Sequence, residues 1–102
     1  MALTTISSLP YTASTTGETY ELGRDLTTSG TGISVTADNI TIDFKGYELT
    51  FGTGNGADVD GVYGSFNIYN LTVYSSVAGG AITHGGTGNP QGGNGVYVEE
   101  VK

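Results

Sequence analysis

The chain lacks cysteine and tryptophan, and only three of its 102 residues are basic. Without cysteine, it has no disulfide bonds, thiolate metal sites or thiol catalysis. Ten acidic residues give a net charge of −7, whereas nucleic acids and anionic membrane surfaces are bound through Lys and Arg. We therefore expect no nucleic-acid partner. No apolar run approaches the roughly 20 residues that span a bilayer, so no membrane insertion is expected.

The start of the chain, Met1 to Thr5, has no basic segment followed by a long apolar run, so no signal peptide is visible. Helix-forming residues are scattered, and no stretch keeps apolar residues at helical spacing. Glycine is abundant instead, with 18 residues against a usual share of about 7%. Short β-branched and aromatic segments alternate with turn residues, which predicts an all-β domain.

Three short motifs recur in the same order with a period of about 30 residues, which is typical of solenoid proteins. Tyr20-Glu21-Leu22 returns as Tyr47-Glu48-Leu49, Gly32-Ile33-Ser34-Val35 as Gly61-Val62-Tyr63-Gly64 and Gly95-Val96-Tyr97-Val98, and Asn39-Ile40-Thr41-Ile42 as Asn70-Leu71-Thr72-Val73. Each period holds three short alternating segments. This predicts a parallel β-helix with about three strands per coil.

Strand alternation assigns each residue to the core or to an outer face. The predicted core rows are Tyr20 and Leu22 with Tyr47, Leu49 and Phe51; Ile33 and Val35 with Val62, Val96 and Val98; and Ile40 and Ile42 with Leu71 and Val73. The predicted outward residues are Glu21 beside Glu48, Ser34 beside Tyr63 and Tyr97, and Thr41 and Asp43 beside Thr72 and Tyr74. Asn39 and Asn70 are predicted to form corresponding corners.

Residues 1–16 do not fit the period and are interpreted as an N-terminal cap, because an open solenoid end exposes core and strand edges. Residues 17–102 are interpreted as β-helix coils. The last coil is predicted to be incomplete, because no segment like Asn39-Ile40-Thr41-Ile42 follows Val98. Either the chain is a fragment of a longer protein, or another molecule completes the open edge. In the second case the edge is a predicted contact for other protein chains, and a homo-oligomer is one expectation.

The segments Gly17 to Leu22, Asp25-Leu26 and Gly32 to Gly46 resemble the start of right-handed parallel β-helix proteins of the pectate-lyase-like superfamily. The resemblance covers roughly residues 6–75. It implies a short right-handed parallel β-helix, and its members include polysaccharide lyases and hydrolases, tailspikes, fibres, adhesins and surface-layer proteins. A lyase of this kind typically uses an Arg or Lys base, for which this chain offers Arg24, Lys45 and Lys102. None of them belongs to a recurring outward cluster.

Asp58 and Asp60 lie in a Gly- and Asn-rich loop whose oxygens suit a hard cation such as calcium. The alternative is a corner loop in which the same residues form turns. Tyr63 and Tyr97 form a predicted aromatic column that suits a glycan or partner contact, because tyrosine offers an apolar body with a polar tip. Cross-strand stabilisation is the alternative for this pair. His84 is predicted to be an exposed loop residue.

No complete catalytic cluster is evident, so the leading hypothesis is a non-catalytic shaft of an extracellular, cell-surface or virion-borne fibre that contacts glycans. Two alternatives stay open. The chain is the N-terminal part of a polysaccharide lyase or glycoside hydrolase, or it is a filament subunit that assembles through its open β-helix edge. No cofactor is expected beyond the calcium considered at Asp58 and Asp60.

Overall fold

The computed structural model describes residues 3–54, 59–65, 68–85 and 94–98. Those residues form eleven β-strands and no helix. The described part of the chain therefore has no helix that is long and apolar enough to cross a membrane. The strands are β1 (Leu3–Ile6), β2 (Tyr11–Ala13), β3 (Thr19–Leu22), β4 (Leu26–Thr27), β5 (Ile33–Val35), β6 (Thr41–Asp43), β7 (Glu48–Phe51), β8 (Asp60–Gly64), β9 (Thr72–Tyr74), β10 (Ala81–His84) and β11 (Asn94–Val98).

The strands build three sheets in which every pairing is parallel. Sheet 1 has the order β1-β3-β6-β9, sheet 2 the order β2-β5-β8-β11, and sheet 3 the order β4-β7-β10. From β3 onward the chain visits sheets 1, 3 and 2 in turn, and each circuit is one coil. This confirms the predicted all-β fold, a parallel β-helix with three strands per coil.

The register confirms two of the three predicted rows. Ile33 pairs with Val62, which pairs with Val96, and Ile42 pairs with Val73. Ile33, Ile42 and Val62 are buried, and Val73 packs against the same core, so like residues of neighbouring coils share the inward face.

The third predicted row was wrong. Tyr20 lies in sheet 1, whereas Tyr47 precedes β7 of sheet 3 and is exposed instead of lying in the core. Tyr20 pairs with Ile42, and Leu49 pairs with Leu26 and Ile82. The predicted stacking of Glu21 on Glu48 fails for the same reason, and Glu21 instead pairs with Asp43. The two-residue strand β4 occupies the position in sheet 3 that the prediction gave to β3. A strand that short has no periodicity by which the sequence reveals it.

The described part of the segment predicted as a cap forms β1 and β2, which are the terminal strands of sheets 1 and 2. This first circuit is short, and among the described residues no strand of sheet 3 precedes β4. The register partners Thr5 and Glu21 are separated by 16 residues, whereas Asn39 and Asn70, at equivalent corners, are separated by 31. The coils therefore lengthen toward the C-terminus. A capping role for residues 1–16 stays a prediction.

The core lies between the three sheets. Its largest fully buried side chains are Ile6, Leu22, Ile33, Val35, Ile40, Ile42, Leu49 and Val62. Asn39 and Asn70 adopt left-handed backbone angles, with φ of 59° and 64°, as expected at tight corners. The Asn70 Nδ2 donates a hydrogen bond of 2.8 Å to Asn39 Oδ1. The corner prediction is confirmed, and its side chains also join neighbouring coils.

Candidate functional site

Thr12, Ser34 and Tyr63 form a column of hydroxyl-bearing residues on the outer face of sheet 2, and the strand register continues this column to the position of Tyr97. Thr12 pairs with Ser34, Ser34 with Tyr63, and Tyr63 with Tyr97. The predicted neighbouring positions of Tyr63 and Tyr97 are therefore confirmed by register. The Tyr63 side chain is half-buried. A contact between this column and a glycan or partner stays a prediction.

Threonine forms similar columns on the other two outer faces, which the sequence analysis recognised only in part. On sheet 1, Thr41 pairs with Thr19 and Thr72. On sheet 3, Thr50 pairs with Thr27 and Thr83. Cross-strand threonine pairs stabilise neighbouring strands, and each hydroxyl offers both a donor and an acceptor. All three outer faces therefore present neutral hydrogen-bonding groups in rows.

Of the two aspartates predicted as a calcium site, Asp58 lies outside the described residues. Asp60 opens β8 with a side chain only 6% exposed, and its backbone N–H donates to Thr31 Oγ1 at 3.1 Å. Among the described residues, no group of three or more His, Asp or Glu side chains has an arrangement that could hold a metal ion. Calcium binding at this loop stays a prediction.

Three aspartates at the corners, Asp25, Asp38 and Asp43, bind backbone N–H groups of the following coil. Asp25 Oδ1 accepts from Glu48 N at 2.9 Å, and Asp38 Oδ1 accepts from Tyr69 N at 3.1 Å. Asp43 Oδ1 accepts from Ser76 N at 2.8 Å. We call these three residues the corner carboxylates. Each one satisfies a backbone donor at a corner or at the start of a strand.

Of the three corner carboxylates, Asp43 accepts the largest number of hydrogen bonds given by the structure. Its carboxylate accepts from Ser76 Oγ at 2.7 Å and from Lys45 N at 3.0 Å, and its side chain is only 6% exposed. Burial raises the pKa of Asp43, but hydrogen bonds from Ser76 and Lys45 and the Lys45 charge outweigh burial, so the pKa lies below its ordinary value. Asp43 therefore stays ionised while it ties two corners together.

Three glutamates join neighbouring coils through threonine hydroxyls. Glu18 accepts from Thr4 Oγ1, and Glu21 accepts from Thr5 Oγ1 at 3.2 Å. Glu48 accepts from Thr83 Oγ1 at 2.5 Å. Six described carboxylates, these three and the corner carboxylates, therefore hydrogen-bond to an adjacent coil. Their acceptor groups serve coil stacking.

Among the described basic side chains, Lys45 lies beside two carboxylates that are register partners, Glu21 and Asp43. Lys45 Nζ lies 4.0 Å from Glu21 Oε1 at an exposed corner with φ of 53°, and an exposed ion pair of this kind contributes little stability. Arg24 is exposed between β3 and β4. Lys102 lies outside the described residues.

The prediction that His84 is an exposed loop residue was wrong. His84 ends β10, pairs with Phe51 and lies edge-on to the Phe51 ring with centroids 5.0 Å apart. The backbone of Gly52 leaves room for the imidazole, because a Cβ there would come within 2.9 Å of His84 Nε2. The glycine-rich surroundings thus admit the ring instead of exposing it.

Comparison with protein-family models, with curated proteins and with solved structures found no match to this chain. Sequence reasoning missed the role of the corner carboxylates. Their position along the chain could have indicated this role. Asp25 directly precedes strand β4, Asp38 precedes the corner residue Asn39, and Asp43 ends strand β6. Aspartate at such positions commonly binds nearby backbone N–H groups.

Proposed function

We propose that this chain is a non-catalytic, structural β-helix segment of an extracellular, cell-surface or virion-borne fibre, tailspike or adhesin, and that its outer faces contact glycans. The finer assignment to the pectate-lyase-like superfamily, with its right-handed coil, is part of the same proposal. The observation that supports it best is the use of the carboxylates. Six of them hydrogen-bond to an adjacent coil, so they reinforce a shaft.

A general acid and base or nucleophile of a glycoside hydrolase must converge on one sugar linkage. The corner carboxylates are instead each occupied by backbone donors of the next coil. Ionised carboxylates in charge-assisted hydrogen bonds of this kind are held firmly in place. This arrangement favours a rigid scaffold over a reaction centre within the described residues.

The outer faces supply the groups that a glycan contact requires. Hydroxyl columns donate and accept hydrogen bonds as sugar hydroxyls do, and tyrosine adds a flat apolar surface. The sheet 2 column is distinguished by its two tyrosines, Tyr63 and Tyr97. We therefore place the glycan contact on that face.

A glycan array tests this placement. The wild-type chain is expected to bind a subset of the glycans, and the Tyr63→Ala/Tyr97→Ala double variant is expected to lose at least about tenfold in affinity, because each aromatic contact contributes on the order of 1 kcal/mol. Tyr47→Ala/Tyr69→Ala is the matched control. It removes two exposed tyrosines that lie outside the sheet 2 column and is expected to bind as wild type.

Circular dichroism spectra of each variant establish first that the fold is retained. Absence of binding to every glycan, or equal binding by the wild type and the Tyr63/Tyr97 variant, would contradict the glycan contact. Cleavage of a bound glycan would instead favour the enzyme alternative. Repeating the array with a calcium chelator tests the Asp58/Asp60 prediction separately, since only a calcium-dependent contact is then lost.

A further inference from the structure

The three outer faces of the β-helix differ in charge. On sheet 1, the outward positions of β3 and β6 include the register partners Glu21 and Asp43, with Lys45 beside them. On sheet 3, Glu48 lies at an outward position of β7, and the exposed Asp25 accepts from its backbone N–H. Sheet 2 has no charged residue at the outward positions of its described strands.

Asp60 is the one charged residue within the described strands of sheet 2, and it faces inward. It lies on the same side of β8 as the buried Val62, because residues two apart in a strand point to the same face, and it is 6% exposed. Glu99 and Glu100 follow β11 along the chain and lie outside the described residues. The uncharged face is therefore defined by β2, β5 and β8 and by the residue that follows each of them.

Two columns of hydroxyl-bearing side chains cover this face. The pairing of the strands continues one residue beyond their ends, since Thr36 N donates to Ala13 O at 3.0 Å. In the next coil, Ser65 N donates to Val35 O at 3.0 Å. Alternation along each strand places the two columns on the same side. We call them together the sheet 2 hydroxyl face, which consists of Thr12, Ser34 and Tyr63 in one column and Ser14, Thr36 and Ser65 in the other.

The sheet 2 hydroxyl face is accessible to a ligand. Its exposed members are Thr12, Ser14 and Thr36, and its half-buried members are Ser34, Tyr63 and Ser65. Neighbouring coils lie about 4.8 Å apart, and residues two apart along a strand lie about 6.6 Å apart. The hydroxyl groups therefore form a grid with the dimensions of a sugar ring, and each of them donates and accepts hydrogen bonds.

We infer that the glycan bound by the sheet 2 hydroxyl face is uncharged, an inference that rests on the proposed glycan contact. A carboxylate or sulfate group of an acidic glycan would lose hydration against a face that offers no Lys or Arg among its described residues. The net charge of −7 also opposes its approach. An amino glycan would be attracted to the carboxylates of sheets 1 and 3 instead.

An uncharged glycan meets neither penalty. Its hydroxyl groups donate and accept hydrogen bonds as those of the face do, so groups on both sides find partners when water is displaced. The Tyr63 ring adds an apolar surface for a sugar ring. The face thus selects its ligand partly by rejecting charged competitors, which is a common source of specificity.

A glycan array that contains uncharged, acidic and amino glycans tests the inference on the wild-type chain. Every bound glycan is expected to be uncharged, and a carboxylated or sulfated derivative of a bound glycan is expected to bind at least about tenfold more weakly. The dissociation constant of the uncharged glycan is expected to change by less than about twofold between low and high salt, because no ion pair is formed.

Ser34→Lys places a cation at the centre of the sheet 2 hydroxyl face, between Thr12 and Tyr63. It is expected to weaken binding of the uncharged glycan at least about tenfold, because the bound glycan would cover an ammonium group that has no counter-charge. Thr41→Lys is the matched control. Thr41 is also half-buried on an interior strand, but it lies on sheet 1, and the variant is expected to bind as wild type.

Circular dichroism establishes that both lysine variants retain the fold. An acidic or amino glycan that binds as tightly as its uncharged counterpart would overturn the inference and leave the glycan contact in place. A strong salt dependence of binding, or equal weakening by Ser34→Lys and Thr41→Lys, would also overturn it. Binding to no glycan would contradict the proposed glycan contact itself, and this inference with it.

Sedimentation velocity distinguishes a glycan from a second copy of the chain on this face. Wild type is expected to show no dimer that depends on Ser34. Dimers that Ser34→Lys disrupts and Thr41→Lys preserves would assign the face to a second copy and would overturn the inference.

Discussion

Replacing Leu49 with alanine is expected to lower the free energy of unfolding by about 2–5 kcal/mol, the usual cost of truncating a fully buried leucine. Leu49 is 0% exposed at the centre of sheet 3, where it pairs with Leu26 and Ile82. Its methyl groups would lie 3.1 and 3.3 Å from a Cβ built at Gly32, so the surroundings are closely packed. Such a loss is a large part of the stability of a small domain.

Urea unfolding followed by circular dichroism measures this change. Val73→Ala is the control, because Val73 is only partly buried at the open end of sheet 1, and we expect about 1 kcal/mol or less there. If Val73→Ala destabilises the chain as much as Leu49→Ala, then β9 is covered as fully as the centre of the β-helix. That result would contradict the core described here.

Replacing Asp43 with asparagine is expected to lower the free energy of unfolding by about 1–3 kcal/mol at neutral pH, since hydrogen bonds to a buried charged acceptor are lost or weakened. The carboxylate accepts from Ser76 N, Ser76 Oγ and Lys45 N, and an amide offers one acceptor oxygen in its place. The corners that begin after β6 and β9 are expected to loosen together. Asp25→Asn is the control, because Asp25 is exposed and binds one backbone N–H.

The effect of Asp43 on stability is expected to depend on pH. Its folded pKa lies below the ordinary value of 3.8, so its contribution is fully present above that value. The contribution is lost as pH falls through the folded pKa, because the unfolded state then binds the proton more readily. Urea unfolding of wild type and Asp43→Asn should therefore differ most near neutral pH and converge in acid. A difference that persists unchanged in acid would contradict this role.

The sequence predicted the fold because the parallel β-helix depends on columns of like residues. Ile33 pairs with Val62, and Val62 with Val96, as their shared motif indicated, and Asn39 and Asn70 adopt the left-handed corner conformation that asparagine tolerates. These positions are constrained by packing and backbone geometry. Both constraints act directly on residue type, so they are visible in the sequence.

The register predicted from the repeated Tyr-Glu-Leu segment was wrong because two different sheets require the same alternation of inward and outward residues. Which sheet a strand joins depends on the length of the preceding corner, and corner length changes along this chain. The two-residue strand β4 and the short first circuit were therefore not predictable from periodicity. The corner carboxylates were missed because each one binds a backbone group of another coil, and residue types alone do not reveal such a contact.

The order of the strands within the sheets is the claim on which the site and both proposals rest. It places Thr27 beside Thr50 in sheet 3, and it separates Glu21 from Glu48 onto different sheets. Neighbouring strands lie about 4.8 Å apart, within the range of Cα distances that a disulfide bridges. The chain contains no cysteine of its own, so an introduced pair forms without competition.

The most direct test is disulfide formation in two double variants under mild oxidation, measured by intact mass after alkylation of free thiols. The structure predicts that Thr27→Cys/Thr50→Cys forms an intramolecular disulfide and that Glu21→Cys/Glu48→Cys keeps both thiols free. The opposite outcome, with Glu21→Cys/Glu48→Cys bridged and Thr27→Cys/Thr50→Cys free, would contradict the coil register and the site built on it.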